Sequence, residues 1–178
     1  MMSLNKSIDR AKTPESVGID SSVIAKMTEE MSYRGINLHS LMIIRNNKVA
    51  CESWSKPLSP EMPHMAYSIS KSFLATAYGF ALDEGKITRD TKLVEVFPEI
   101  RKKKDTFLEK LTIHHLLCMT AGKQTAIRGS KGDDWLKIFL NAKWIFEPGT
   151  SWRYVNDNYY VASKMLCRIL GESITEYL

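Results

Sequence analysis

Two short constellations hold the residue types that acyl transfer needs. The first is Ser68-Ile69-Ser70-Lys71, at the head of a run rich in apolar and small residues. A serine in the first turn of a helix and a lysine three residues later share one face. The helix start offers free N–H groups and a partial positive charge. A serine oxygen there can attack a carbonyl while its own N–H donates to the developing oxyanion. A desolvated lysine one turn on acts as base, or stays charged and lowers the pKa of the hydroxyl. The second constellation is Tyr154-Val155-Asn156, the only Tyr-x-Asn in the chain. In an extended or turn segment, residues two apart point the same way. A phenol that can become a general base and an amide that can hold a substrate's acyl-amide group then face one site.

Neither spacing is decisive alone. Ser3, Ser53 and Ser68 each have a lysine three residues on. Ser3 lies in a polar tail, and Lys56, the partner of Ser53, precedes Pro57, which disfavours a helix there. Only Ser68 opens a long apolar run. The bland reading of Ser68 is an N-cap serine, and that of Tyr154-Val155-Asn156 is a helix-entry loop capped by Asn156 or Asp157.

The elements that must position these residues follow from local pattern. Gly18 to Met31 reads as a first helix, capped by Asp20 or Ser21, with Val23, Ile24, Met27 and Met31 as its apolar stripe. Leu41–Arg45 and Val49–Trp54 flank Asn46-Asn47 and read as a hairpin, because asparagine tolerates the positive φ of tight turns. The run Ser68 to Glu84 reads as a helix buried on most sides, with Phe73 in the core and Gly85 as its C-terminal stop. Burial of that kind makes Phe73→Ala cost about 3–5 kcal/mol. Thr112 caps a helix through Leu117, Asp133 or Asp134 opens another through Leu140, and Asn158 to Ile169 forms a further one ahead of Gly171. Asp90–Pro98 and Arg101–Thr106 read as loops. The chain thus starts with a helix and a hairpin and continues almost wholly helical.

Composition narrows the function classes. The chain has 178 residues, 44% hydrophobic and 25% charged, in the range of an ordinary globular protein. A net charge of +5 and one isolated basic run, Arg101–Lys104, do not make the footprint of a nucleic-acid binder. Cys51, Cys118 and Cys167 form neither a disulfide framework nor a metal pair, and each reads as a small packed apolar residue. His39, His64, His114 and His115 lack metal-ligand spacing and read as non-catalytic. The N-terminal residues show no apolar stretch, so no signal peptide and no transmembrane segment is expected. That places the protein in the cytoplasm, or outside it if a leader has been removed.

Four blocks in order carry a family resemblance. Tyr67-Ser-Ile-Ser-Lys-Ser-Phe73 with Ala81-Leu-Asp-Glu-Gly-Lys-Ile87 resembles the nucleophile region of the serine β-lactamase, penicillin-binding protein and esterase superfamily. Leu111–Gly122 is similar to the stretch ITIRHLLSHTSG of its class C and esterase branch, and Phe146–Asn156 to a PG-x-x-x-x-YSN stretch. Thr13–Asp20 resembles that branch's N-terminal segment.

The resemblance implies an α+β chain with a β-lactamase/transpeptidase-like fold, incomplete at its C-terminal side. Residues 1–60 are then the N-terminal part of a sheet domain. Residues 61–178 are a mostly helical domain, and the later sheet strands are absent. It implies Ser68 as acylated nucleophile, Lys71 as its proton partner, Tyr154 as base and then acid, and Asn156 as substrate-orienting amide. Ser70 is expected to pack, and His115 to be structural. The implied reaction needs no metal and no organic cofactor. Its substrate is a small β-lactam, ester, amide or short peptide, with neither nucleic acid nor membrane as partner. The competing readings are a non-catalytic binding or regulatory module of the same fold and an inactive fragment. The family's third motif, a Lys-Thr-Gly or His-x-Gly triplet, is missing from the sequence. The resemblance therefore also implies a missing second oxyanion donor, a loss of about 10²–10³ in rate. Self-association, or completion by a C-terminal part, is the expected remedy.

Overall fold

The computed structural model describes residues 8–101, 105–124 and 134–178. The chain divides into two compact units, Met1–Met65 and Ala66–Leu178. Among the described residues no helix is long and apolar enough to cross a membrane.

In the first unit, helix α1 spans Ser21–Tyr33, and the Asp20 carboxylate accepts from Ser22 N at its start. Strands β1 (Ser40–Arg45) and β2 (Lys48–Trp54) form an antiparallel hairpin. Asn46 and Asn47 adopt φ of 51° and 58°, the left-handed pair that a tight two-residue turn demands. A register shift between Ile43 and Ile44 bulges β1. The N-terminal segment pairs beside β2, with Val49 N donating to Asp9 O at 2.8 Å and Ala11 N to Val49 O at 2.9 Å.

The apolar stripe expected on α1 is not covered. Val23 is exposed, Ile24, Met27 and Met31 are only half-buried, and no residue of α1 is fully buried. One helix and two strands supply too little surface to close over such a stripe.

The second unit is helical. Its 3₁₀ turn Tyr67–Ile69 leads into α2, Ser70–Asp83. Then come α3 (Leu93–Val96), α4 (Ile113–Leu117), α5 (Trp135–Asn141), α6 (Asn156–Leu170) and α7 (Ile174–Tyr177). Helix α6 is the centre, packing against α2, α3, α4, α5 and α7. Val161, Ala162, Met165 and Leu166 of α6 join Leu93, Leu111, Ile113, Leu116 and Phe139 in one core, all fully buried. The caps act as the local pattern predicts. Thr112 Oγ1 accepts from His115 N, and the Asp134 carboxylate from Lys137 N at 3.0 Å. Asp133 lies outside the described residues, as do Lys102–Lys104 of the basic run.

Several expectations need correcting. Helix α2 buries only Leu74, Ala77 and Ala81, one stripe at helical spacing, while Phe73 is 59% exposed and Phe80 lies on the surface. Phe73 is therefore not core, because α2 meets its neighbours along a single face. The segment read as a loop before Pro98 contains α3, closed by a Lys92–Glu95 capping arrangement, and Pro98–Ile100 forms a 3₁₀ turn. Cys118 is exposed, whereas Cys51 and Cys167 are half-buried.

Two features bind the loops around α4 and α5. Gly122 has φ 82°, and a Cβ there would lie 2.2 Å from the Phe146 carbonyl oxygen, so only glycine fits. Lys123 is buried, and its Nζ donates to the Leu140 and Ala142 carbonyls at 2.9 Å each, over the Trp144 ring. It satisfies carbonyls that the end of α5 leaves unpaired.

Candidate active site

Ser68 sits in the 3₁₀ turn that precedes α2, and α2 begins at Ser70, two residues later than the start read from the sequence. Tyr67 beside it has φ 43°, a left-handed conformation that costs a non-glycine residue about 1–3 kcal/mol. Ser70 does not pack. It is exposed, and its hydroxyl donates to the Tyr67 carbonyl at 2.5 Å, bracing the turn. Lys71 follows in the first turn of α2 and is half-buried.

Tyr154 and Asn156 arrive at the start of α6. Val155 is the extended N-cap, with φ −138° and ψ 115°, and Asn156 is the first helical residue, so α6 begins two residues before the expected Asn158. Neither Asn156 nor Asp157 caps the helix in the bland sense, because Val155 holds the cap position with no side-chain cap bond.

The four candidate residues meet. The Ser68 and Tyr154 hydroxyl oxygens lie 2.6 Å apart. Lys71 Nζ donates to Ser68 Oγ at 3.1 Å and to Asn156 Oδ1 at 2.8 Å. The same ammonium stands 5.1 Å from the Tyr154 ring centroid and 5.5 Å from that of Tyr159. Lys71 is thus held by two oxygen acceptors and two ring faces. Because Lys71 occupies one lone pair of Ser68 Oγ, the serine proton is free to point at the phenol oxygen.

The electrostatics follow from these contacts. The Lys71 ammonium, then the Ser68 hydroxyl, hold the Tyr154 phenol below its ordinary pKa. Burial pushes Tyr159 the other way and keeps it neutral. Sequence reading missed Tyr159. Its signal was available, since it follows Asn156 by three residues and therefore shares its helix face. A groove of about 630 Å³ opens beside Lys71 and Asn156, lined also by Phe73, Leu74, Tyr159 and Ile174.

The histidines have partners of their own. His115 Nδ1 accepts from Thr112 N, and burial lowers its pKa. His39 and His64 stack edge to face at 5.5 Å, and His114 lies beside Cys118. No group of three or more potential metal ligands occurs among the described residues.

Comparison with known proteins gives a consistent picture. No curated protein matches the chain in sequence. The octameric penicillin-binding protein homologue from Pyrococcus abyssi superposes with a TM-score of 0.67 at 25% identity, over 88% of this chain and 40% of that one. A penicillin binding protein from Bacillus halodurans gives 0.62 at 20% identity, over 85% and 52%. A D-stereospecific amidohydrolase from Streptomyces gives 0.52 at 22%, over 62% and 38%. This chain therefore spans about half the length of the structures it resembles, and shares their fold in that part. A family model described as Beta-lactamase matches residues 23–178, and the chain belongs to the Beta-lactamase family.

Proposed function

We propose that this chain carries the nucleophilic centre of a serine hydrolase that works through an acyl-enzyme, on a β-lactam, ester or amide. The observation that carries the reading is the Ser68–Tyr154–Lys71 contact set, with hydroxyls 2.6 Å apart and Lys71 Nζ 3.1 Å from Ser68 Oγ. Ser68 Oγ attacks the carbonyl carbon as its proton passes to the Tyr154 phenolate. The Ser68 N–H, at the entry to α2, donates to the resulting oxyanion. Tyr154 then returns the proton to the departing nitrogen or oxygen, the bond to that atom breaks, and the acyl group stays on Ser68. Water, deprotonated by the same phenolate, attacks the ester, and as the bond to Ser68 Oγ breaks Tyr154 returns that proton to it, releasing the acid. Lys71 Nζ, beside both oxygens, stabilises the phenolate. Asn156 holds Lys71 and presents its amide Nδ2 to the substrate.

The family and its named neighbours, a penicillin-binding protein, a homologue of one and an amidohydrolase, support hydrolysis as the chemistry. Assembly into oligomers belongs to the same reading, supported by the octameric state of the Pyrococcus abyssi homologue.

The test is covalent labelling. A fluorescent penicillin and a fluorophosphonate are offered to the chain, and the adduct is located by peptide mass spectrometry. The expected adduct is on Ser68, lost in Ser68→Ala and slowed in Lys71→Ala. Labelling that persists in Ser68→Ala, or none with either probe, overturns the reading.

A further inference from the structure

Met119 follows α4 in a left-handed turn, with φ 61°, and is 6% exposed. Three of its polar contacts reach the segment that carries Tyr154 and Asn156. Its carbonyl accepts from Arg153 N at 2.9 Å. Its thioether sulfur lies 3.4 Å from Val155 N and 3.8 Å from Asn158 Nδ2, both donors. Val155 and Asn158 are shut away from water at 3% and 1% exposure. A backbone N–H at a helix entry has no acceptor within the helix, and a buried one has to be satisfied elsewhere. Here a sulfur, ordinarily a weak acceptor, takes the N–H of the residue between Tyr154 and Asn156. Asn158 Oδ1 is buried without a hydrogen-bond partner among the described residues, so the Asn158 amide is oriented from its Nδ2 side, at Met119.

We propose that Met119 is a positioning residue for the Ser68 centre, its sulfur and carbonyl clamping residues 153–158 so that the Tyr154 hydroxyl meets Ser68. The proposal rests on the hydrolase reading, but Met119 touches no reacting atom. It acts by fixing the start of α6, on which both Tyr154 and Asn156 ride. Small displacements at that start matter, because an error of about 1 Å in a reacting group costs on the order of a hundredfold in rate. The stretch that Leu111–Gly122 resembles has a histidine where Met119 stands, which suggests the variant that restores a strong acceptor in a similar volume.

The experiment compares Met119→Leu, which keeps size and apolarity but removes the acceptor, with Met119→His and Met119→Gln, which supply one. Two quantities are read on each protein: amide hydrogen exchange at Val155, by NMR, and the rate of Ser68 labelling by the fluorescent penicillin at saturating and sub-saturating probe. The expected result for Met119→Leu is Val155 exchange faster by about tenfold or more, and a maximal labelling rate lower by about ten- to a hundredfold, with half-saturation little changed. Met119→His brings both back towards wild type. Unchanged Val155 exchange in Met119→Leu overturns the clamp. Faster exchange with unaltered labelling overturns its role in the reaction. If Met119→Leu does not fold, Met119→Gln decides: a tenfold loss of labelling there overturns the proposal, and retention within about threefold supports it. Failure of the wild-type chain to label removes the hydrolase reading instead, and the exchange measurement then decides the clamp alone.

Discussion

The hydroxyls of Ser68 and Tyr154 lie 2.6 Å apart although 86 residues separate them in the chain. That contact joins the turn before α2 to the start of α6, and Lys71 closes it by reaching both Ser68 and Asn156. The site therefore depends on how two helices pack.

The pH dependence of Ser68 labelling tests the role of Tyr154. The Lys71 ammonium is the largest cause holding the Tyr154 phenol below 10.0. In the proposed mechanism the base is the phenolate, so labelling is expected to rise with pH through the Tyr154 pKa and level off above it. The inflection is expected below the ordinary tyrosine range in the wild type, and to move up towards it in Lys71→Met. A rate–pH profile whose inflection Lys71→Met leaves in place removes Tyr154 as the base.

Two glycines with positive φ are expected to respond differently to alanine. Gly85 has φ 70° and, among the described residues, nothing within 4 Å of where a Cβ would lie, so Gly85→Ala costs only the backbone strain, about 1–2 kcal/mol. At Gly122 the same change drives a Cβ to 2.2 Å from the Phe146 carbonyl oxygen, adding overpacking for a total of about 3 kcal/mol or more. Urea midpoints of the two variants check the order, and equal losses contradict the close approach at Gly122.

Phe73→Ala is expected to be mild. With the ring 59% exposed, the loss is about 1 kcal/mol, in place of the 3–5 kcal/mol of a core phenylalanine. A chemical denaturation curve decides, and a loss above about 3 kcal/mol shows that another surface covers Phe73 in solution.

Lys123→Met tests the buried cation. The substitution keeps the stem but removes the donor from the carbonyls of Leu140 and Ala142. A loss of about 1–3 kcal/mol is expected for the carbonyls left without it. Thermal unfolding measures it, and an unchanged midpoint means that water replaces Nζ at the end of α5.

Much of the local structure was readable from neighbouring residues. Asn46-Asn47 specified a tight hairpin because both accept positive φ. Thr112 and Asp134 marked helix starts because their side-chain oxygens reach the N–H groups three residues on. Ser68 and Lys71 were a credible pair because one helical turn brings i and i+3 together. Each of these is a short-range interaction, legible wherever the residues adjoin. The pairing of Ser68 with Tyr154, by contrast, rested on likeness to a family, since no spacing rule links residues 86 apart.

Tertiary packing decided the rest. The sequence of α2 has apolar residues on several sides, and packing against α6 and α7 leaves Leu74, Ala77 and Ala81 buried and Phe73 outside. Lys123 looks like any surface lysine until the end of α5 folds over it and offers two carbonyls. Met119 looks like a core filler until Val155 and Asn158 bring their N–H groups to its sulfur. Composition and spacing settle which bonds a residue can form. Which partners arrive, and whether water is excluded when they do, depends on long-range burial, which no local run of residues encodes.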